Sequence, residues 1–326
     1  MKAILQNRYG APDVLELSEV PKPVPKDNEV LVRVHAASAN ALDWRPFTMS
    51  PIFIRLLGGL QKPKDPRLGA DLAGRVEAIG SEVTQFQRGD EVFGVADGAF
   101  AEYACGAENK LARKPANVSY ETAAAVPVAS LTALQSLRDR GGIQAGQKVL
   151  IHGASGGVGT FAVQIAKSFG AEVTAVCSAR NMDMVRGLGA DHVIDYTRED
   201  FTRNGHRYDL IAAVNGHRPI LDYWRALVPG GICIMLGGSM AQIVQALFLG
   251  PLLSRTGSKR MQNMLTRTNQ KDLAFLGKLL EDRKVIPVID RTYPLGKVAE
   301  ALTYLIEEHA RGKVVITIDH DGAGRP

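Results

Sequence analysis

Val149-Leu150-Ile151-His152-Gly153-Ala154-Ser155-Gly156-Gly157-Val158-Gly159 decides the reading of this chain. A short apolar run, Lys148–His152, enters a glycine-rich turn, and Val158, Phe161, Ile165 and Phe169 then recur at helical spacing. Strand, tight turn and helix in that order are the setting of a dinucleotide fingerprint. The glycines let the backbone turn and approach a pyrophosphate, and the first N–H groups of the helix point at its charge. Ala154 stands where the strict G-x-G-x-x-G pattern has its first glycine. A plain tight turn is the structural alternative.

Downstream of this turn, strand-like and helical stretches alternate. Strands are expected at Glu172–Cys177, His192–Asp195, Tyr208–Val214 and Gly231–Leu236, and helices at Met182–Leu188 and Ile220–Leu227. Such alternation predicts parallel βαβ units and an open, doubly wound α/β sheet. The second strand ends in Ser178-Ala179-Arg180-Asn181. A carboxylate in that turn would bind the ribose 2′-hydroxyl of NAD, whereas a hydroxyl and a guanidinium suit a 2′-phosphate. The expected cofactor is therefore NADPH (NADP). Ser178 as a turn residue and Arg180 as a solvated side chain are the alternatives.

Upstream the chain reads as β-rich. Glu29–Ala36 alternates polar and apolar residues, and Ala73–Gly80 and Asp90–Val95 look like further strands closed by glycine turns. Pro21, Pro23 and Pro25 mark a connector. Glu121–Leu137 is alanine-rich and helical in pattern. Helical patterns return at Lys271–Leu280 and Leu295–Glu308, and Lys313–Ile318 closes the chain as a strand.

Composition narrows the function classes. The 326 residues are 45% hydrophobic and 22% charged, which suggests two ordinary globular domains. Three cysteines exclude a disulfide framework. The formal charge is +5, but Lys and Arg are scattered, so no nucleic-acid partner is expected. An anionic small molecule accounts for the excess more simply. The N-terminus turns polar at once, and the most apolar stretch, Ile243–Leu253, falls short of the ~20 residues that span a bilayer. The expected location is cytoplasmic, with Cys105, Cys177 and Cys233 as free thiols.

The whole chain resembles the medium-chain dehydrogenase/reductase superfamily, and within it the zinc-free quinone oxidoreductase (zeta-crystallin-like) branch. The resemblance rests on Asn40-Ala41-Leu42-Asp43, Gly69-Ala70-Asp71-Leu72-Ala73-Gly74-Arg75-Val76, Gly89-Asp90-Glu91-Val92-Phe93-Gly94 and Gly98-Ala99-Phe100-Ala101-Glu102-Tyr103. It continues through the phosphate loop, Gly187-Leu188-Gly189-Ala190-Asp191, Ile194-Asp195-Tyr196, Gly230-Gly231 and Gly312-Lys313-Val314-Val315. It implies a GroES-like, partly open β-barrel catalytic domain (residues 1–119 and 285–326) and an inserted Rossmann-type nucleotide-binding domain (120–284). In this fold the cleft between the domains holds cofactor and substrate.

Zinc enzymes of the superfamily hold their metal through Cys, His and Cys. The matching positions here are Asn40, Ala70 and Val128, and the seven histidines show no ligand spacing, so no metal is expected. Without a Lewis acid, a quinone or enone is an easier hydride acceptor than a simple alcohol is a donor. The resemblance thus implies NADPH-dependent reduction of a small lipophilic carbonyl compound, a quinone or quinone-like acceptor. Reduction of the double bond of an α,β-unsaturated ketone or aldehyde is one alternative, and a low-turnover NADPH-binding sensor or interaction protein is another.

Asn40 is the candidate catalytic residue, as a polar contact to acceptor or nicotinamide ribose, with a strand-capping role as the alternative; Asp43 would orient its neighbours. The enoyl-thioester branch places a Tyr soon after this motif, but here Trp44 and Phe47 follow it. By resemblance Thr132 lies near the nicotinamide, and Ser155, Gly156, Gly157 and Val158 hold the pyrophosphate. Ser178, Arg180 and Tyr196 surround the 2′-phosphate or adenine. Asn215 ends the fourth strand, and Leu236, Gly237 and Gly238 back the nicotinamide.

The apolar segment containing Phe47, Phe53 and Leu57, with Ile243–Leu253 as a second, is expected to line a lipophilic substrate pocket. Peripheral membrane contact through Arg255, Lys259 and Arg260, and simple core or dimer packing, are further readings. The resemblance also implies a homodimer in which the strand Ile232–Leu236, otherwise an unpaired apolar edge, pairs across a two-fold axis.

Overall fold

The computed structural model describes residues 1–43, 63–214, 218–238, 240–255, 257–307 and 310–320. In chain order its strands are β1 (Lys2–Gln6), β2 (Leu15–Glu19), β3 (Glu29–Ala39), β4 (Asp71–Ile79), β5 (Glu91–Val95), β6 (Tyr103–Ala107) and β7 (Leu111–Arg113). Helices α1 (Tyr120–Ala124) and α2 (Pro127–Gln135) follow. Then come β8 (Lys148–His152), α3 (Gly157–Ser168), β9 (Glu172–Cys177), α4 (Met182–Gly187), β10 (His192–Asp195), β11 (Tyr208–Ala213), α5 (Ile220–Ala226) and β12 (Leu227–Met235). The remainder is α6 (Met240–Arg255), β13 (Arg260–Asn263), α7 (Gln270–Glu281), β14 (Ile289–Pro294), α8 (Val298–Glu307) and β15 (Lys313–Thr317).

Contacts divide the chain into two compact units. The first is Met1–Val128 with Thr268–Asp282 and Ile289–Pro326; the second is Ala129–Arg267 with Arg283–Val288. By contacts α1 and α7 therefore belong to the first unit, although the sequence reading put both in the second. The reason is packing: α1 lies against β3 and β4, and α7 against β7.

The first unit is built on a sheet ordered β14-β15-β3-β4-β5-β7, with β6 also paired to β3. Every pair is antiparallel except β14 with β15. The long β3 is the hub, because it pairs with β15, β4 and β6. Its apolar side chains, Val30, Val32 and Val34, join Leu72, Phe100, Leu302 and Val314 in one core.

The second unit is a six-stranded parallel sheet ordered β10-β9-β8-β11-β12-β13, the doubly wound order that reverses direction between β8 and β11. Val149, Leu150 and Ile151 on β8 are fully buried, as expected of a strand covered on both faces. Tyr223 of α5 is fully buried, and its hydroxyl meets His152 Nδ1 at 2.7 Å. His152 is thus a structural residue.

Two elements depart from the sequence reading. The helix expected over Glu121–Leu137 is two helices, because Pro127 cannot accept a place inside a helix and instead takes the first position of a new one. The edge expected at Ile232–Leu236 is not an edge. β13 pairs in parallel with β12, joining Ile232 to Arg260 and Met235 to Asn263. Four residues with two polar ends, Arg260-Met261-Gln262-Asn263, carry too little pattern to be read as a strand. The apolar Ile243–Leu253 stretch lies within α6, which exposes Leu247, Phe248 and Leu252. Among the described residues no helix is long and apolar enough to cross a membrane.

Gly159 shows how tightly the glycine turn is built. A Cβ there would sit 2.1 Å from the Gly153 carbonyl oxygen, so α3 can approach the end of β8 only with glycine at this point. Gly159→Ala is expected to lower the stability of the second unit by about 1–3 kcal/mol. Gly187→Ala, where the added methyl meets nothing within 4 Å, should be neutral or stabilising by up to about 1 kcal/mol. Urea unfolding of the two variants against the parent checks both.

Candidate active site

The second unit gathers its candidate residues along one edge. All its strands are parallel, so their carboxyl ends lie together, and ligands of such sheets bind outside those ends where the strand order reverses. At the end of β8, Gly153 adopts φ +87°, a left-handed conformation that favours glycine. Its N–H and that of Ala154 both donate to the Val176 carbonyl at 3.1 Å, which ties the turn to β9. Gly156 caps α3, and Ser155, Gly156, Gly157 and Val158 are all partly exposed.

A Cβ at Gly156 would meet only the Gly153 carbonyl, at 3.7 Å. The fold itself therefore does not require glycine there; a Cβ would instead fill the open space through which a pyrophosphate would reach the N–H groups of α3. On this observation a dinucleotide fits.

Strand pairing brings the next group together. Asp195 on β10 is in register with Cys177 on β9, so Ser178, Arg180 and Tyr196 lie along neighbouring strand ends. The Asn181 amide donates to Ser178 Oγ at 3.1 Å, Arg180 is exposed, and Tyr196 is 51% exposed. The sequence reading looked for a carboxylate only at the end of β9. The fold supplies one at the end of β10 instead. Asp195 Oδ1 accepts from the Thr197 N–H at 3.0 Å and its hydroxyl at 2.8 Å, which hold the carboxyl below its usual range. Its Oδ2 accepts no hydrogen bond among the described residues and lies 3.7 Å from Arg198 Nε. Cys177 is buried, and burial, followed by the Asp195 charge, pushes its thiol up to about 11, so it is a poor nucleophile.

Thr132 on α2 shares a hydrogen bond of 2.8 Å with Thr266. Leu236 continues from β12 with its N–H on the Ala213 carbonyl at 3.0 Å, and Gly237 and Gly238 follow, the latter at φ +134°. Asn215, Phe47, Phe53 and Leu57 lie outside the described residues.

The first unit holds a buried polar cluster where β3, β4 and β15 meet. Asn40 follows the last residue of β3, Asp71 opens β4 and Lys313 opens β15. Lys313 is 2% exposed and Asp71 fully buried. Lys313 Nζ donates to Asn40 Oδ1 at 2.6 Å and lies 3.4 Å from Asp71 Oδ2. The same Asp71 oxygen accepts from Ser38 Oγ at 2.9 Å and from Asn40 Nδ2 at 2.8 Å, while Oδ1 accepts from the Val128 N–H at 2.9 Å.

Asn40 is thus heavily committed. Its amide hydrogens go to Asp71 and, at 3.3 Å, to the Ser38 carbonyl. What it retains for a ligand is accepting capacity on Oδ1, so a ligand hydroxyl suits it and a ligand carbonyl does not. Both readings of this residue meet here: it terminates the strand and also belongs to a buried polar site.

Asp43 closes the turn. It accepts from the Asn40 N–H at 2.7 Å, and its own N–H returns to the Asn40 carbonyl at 3.0 Å. Burial, aided by the Asp71 charge, raises its carboxyl to about 7, although the Asn40 hydrogen bond and Lys313 oppose the shift.

Lys313 and Asp71 were not among the sequence candidates. One signal was available: Lys313-Val314-Val315-Ile316-Thr317 is apolar at adjacent positions, which marks a strand buried on both faces and obliges a lysine within it to find a partner. Of the positions matching the zinc ligands, Ala70 and Val128 have no metal-binding side-chain atom, and the Asn40 amide is engaged as above. Among the described residues no group of three or more His, Cys, Asp or Glu is placed to hold a metal ion.

Comparison with known proteins agrees with this architecture. Residues 26–116 match the alcohol dehydrogenase GroES-like domain family, and residues 188–316 match the family described as zinc-binding dehydrogenase. A chloroplast envelope quinone oxidoreductase homolog of Arabidopsis thaliana is 34% identical, over 97% of this chain and 98% of that protein. The 2-methylene-furan-3-one reductase of Solanum lycopersicum is 33% identical, over 97% of this chain and 79% of its own. The solved quinone oxidoreductase from Coxiella burnetii superposes with a TM-score of 0.85 at 30% identity, covering 98% of this chain and 99% of that one. The chain belongs to the zinc-free, quinone oxidoreductase-type family of medium-chain dehydrogenases/reductases, with a GroES-like domain and a Rossmann-type domain.

Asp43 gives the polar cluster a pH signature. A carboxyl raised to about 7 in the folded state keeps its proton where the unfolded chain has already released it. Stability from this group is complete at low pH and is lost as pH rises towards that value. Asp43→Asn keeps an oxygen for the Asn40 N–H and removes the titration. The parent is expected to lose roughly a few kcal/mol between about pH 5 and about pH 8 relative to this variant, read from urea midpoints at both pH values.

Proposed function

We propose that the protein is an NADPH-dependent, zinc-independent oxidoreductase whose acceptor is a quinone or quinone-like carbonyl compound. The observation that carries the cofactor is the open glycine turn at Gly156 beside a β9 end that presents Ser178 and Arg180. A bound reduced nicotinamide supplies the hydride. The N–H groups at the start of α3 hold the pyrophosphate, and Arg180 and Ser178 take the 2′-phosphate through charge-assisted hydrogen bonds.

The residue types at the positions matching zinc ligands support the acceptor class. Asn40, Ala70 and Val128 provide no Lewis acid, so the favoured acceptor is one whose reduced form spreads its charge over a conjugated oxygen. Asn40 Oδ1, anchored by Lys313, accepts a hydrogen bond from a ligand hydroxyl. The lipophilic pocket of Phe47, Phe53 and Leu57 remains part of this proposal on sequence grounds. The family names of the Arabidopsis and Coxiella relatives support the quinone reading.

Double-bond reduction of an enone is the second reading. Asp43 favours it: a buried carboxyl raised to about 7 is available as a proton donor near neutrality, and an enolate product needs a proton at carbon. The Solanum relative, named for reduction of a methylene-furanone, supports the same reading.

Oxidation of NADPH and of NADH, each with a series of benzoquinones and naphthoquinones and a series of enones, separates these readings. Quinone turnover that prefers NADPH is the expected result; turnover confined to enones would replace the first reading with the second, and equal use of NADH would overturn the cofactor assignment. Arg180→Ala should raise KM for NADPH by about 10- to 100-fold and leave NADH little changed, since a hydrogen bond to a charged group contributes about 1.5–3 kcal/mol. Gly156→Ala should keep the folding stability of the parent and weaken binding of both cofactors, read by fluorescence titration.

A further inference from the structure

We infer that the β3–β4 face of the first unit carries a second ligand site, one that binds a phosphate group between Arg33, Arg75 and His35. It is independent of the polar cluster at Asn40 and of the nucleotide edge.

Four observations converge on this place. First, Arg33 and Arg75 stand directly opposite each other in the β3–β4 register. Like charges so paired destabilise a sheet unless something lies between them. Second, that register slips on both sides of the pair. Val34 and Ala36 face Gly74 and Ala73, which leaves His35 as an extra residue on β3; Leu31 and Val32 face Ala78 and Val76, which leaves Glu77 extra on β4. Bulges re-aim side chains, and here one on each strand brackets the arginine pair. Third, an open-mouthed cavity of about 240 Å³ is lined by Arg33, His35, Arg75, Glu77, Glu91 and Tyr120.

Fourth, the carboxylates in its wall are already matched. Glu91 accepts from Tyr120 Oη at 2.7 Å and Arg75 at 3.3 Å, and meets Lys114 at 3.0 Å. Glu77 accepts from Lys22 at 2.9 Å. Arg33 has no carboxylate within ion-pair distance among the described residues, and its buried Nε has no hydrogen-bond partner. A guanidinium edge without a partner, facing a second guanidinium, is costly unless an oxyanion completes it; the planar fork matches phosphate oxygens.

His35 reports on the same charge. It stacks on Tyr120 at 4.4 Å and meets His320 edge-on at 5.4 Å, while His320 donates to the Val34 carbonyl at 2.8 Å. Burial, then His320, Arg33 and Arg75, press its imidazole down to about 4, and Glu91 opposes them weakly. An anion in the cavity would offset the cationic contributions and move this value upward.

The experiment titrates the full chain with inorganic phosphate and, separately, with glycerol 3-phosphate at low ionic strength. Heat of binding and the pH titration of the His35 ring protons by NMR are both followed. The expected result is saturable binding with Kd of about 1 mM or tighter, together with an upward shift of the His35 titration. Tighter binding of the ester identifies a phosphorylated metabolite as the ligand, and equal binding identifies the phosphate group itself.

Arg33→Gln and Arg75→Gln should each weaken binding at least tenfold. Arg33→Lys, which keeps the charge without the fork, serves where Arg33→Gln fails to fold and should also lose affinity. No saturable binding, no movement of His35, or binding unchanged in the arginine variants would overturn the site.

Discussion

A lysine ammonium buried at the meeting of three strands organises the first unit. Removing such a charge from water costs several kcal/mol, and the cost is offset only by good geometry to opposite charge and by further hydrogen bonds. Lys313 has Asn40 Oδ1 at 2.6 Å and the Asp71 carboxylate at 3.4 Å; Asp71 in turn is met by Ser38, Asn40 and the Val128 amide. The sequence separations are large, 273 residues from Lys313 to Asn40 and 242 to Asp71. The contact can therefore exist only when the last strand has returned to pair with β3. The cluster makes the closing segment of the chain a condition for the first unit's candidate site.

Asn40, one of the three positions that the resemblance aligns with zinc ligands, belongs to this cluster. Its hydrogen bonds are internally satisfied to a degree that leaves Asn40 an acceptor rather than a donor. That restricts the chemistry available to the unit: positioning of a ligand hydroxyl, and a carboxyl at Asp43 whose proton is exchangeable near neutrality. The second unit is organised differently. Its candidate site is mostly backbone, made of N–H groups at the start of α3 and of turns at parallel strand ends, with Ser178, Arg180 and Tyr196 added by strand pairing.

The parallel unit was highly legible because its strands are short apolar runs, its helices amphipathic and its turns rich in glycine, all of them local signals. The expected strands at Lys148–His152, Glu172–Cys177 and His192–Asp195 match the observed bounds. Legibility failed where the signal was short or non-local. β13 has four residues and is a strand only because β12 lies beside it. The break at Pro127 was overridden by an alanine-rich pattern that continues on either side of it. The place of the Asp195 carboxylate beside the end of β9 is not legible, because it depends on the pairing of β9 with β10.

By itself the sequence determined the class of fold, the strand–turn–helix at Lys148–Ser168 and the absence of Cys and His side chains at Asn40, Ala70 and Val128. These depend on residue type and on spacing over a few turns of chain. Only the tertiary structure decided that Asn40 spends its amide hydrogens inside a lysine–aspartate cluster, that Arg33 faces Arg75 between two bulges, and that β12 is not an edge. Each of these is a matter of register between strands distant in sequence, and register is fixed by which buried polar groups find partners and which apolar faces meet, not by any local pattern of residues.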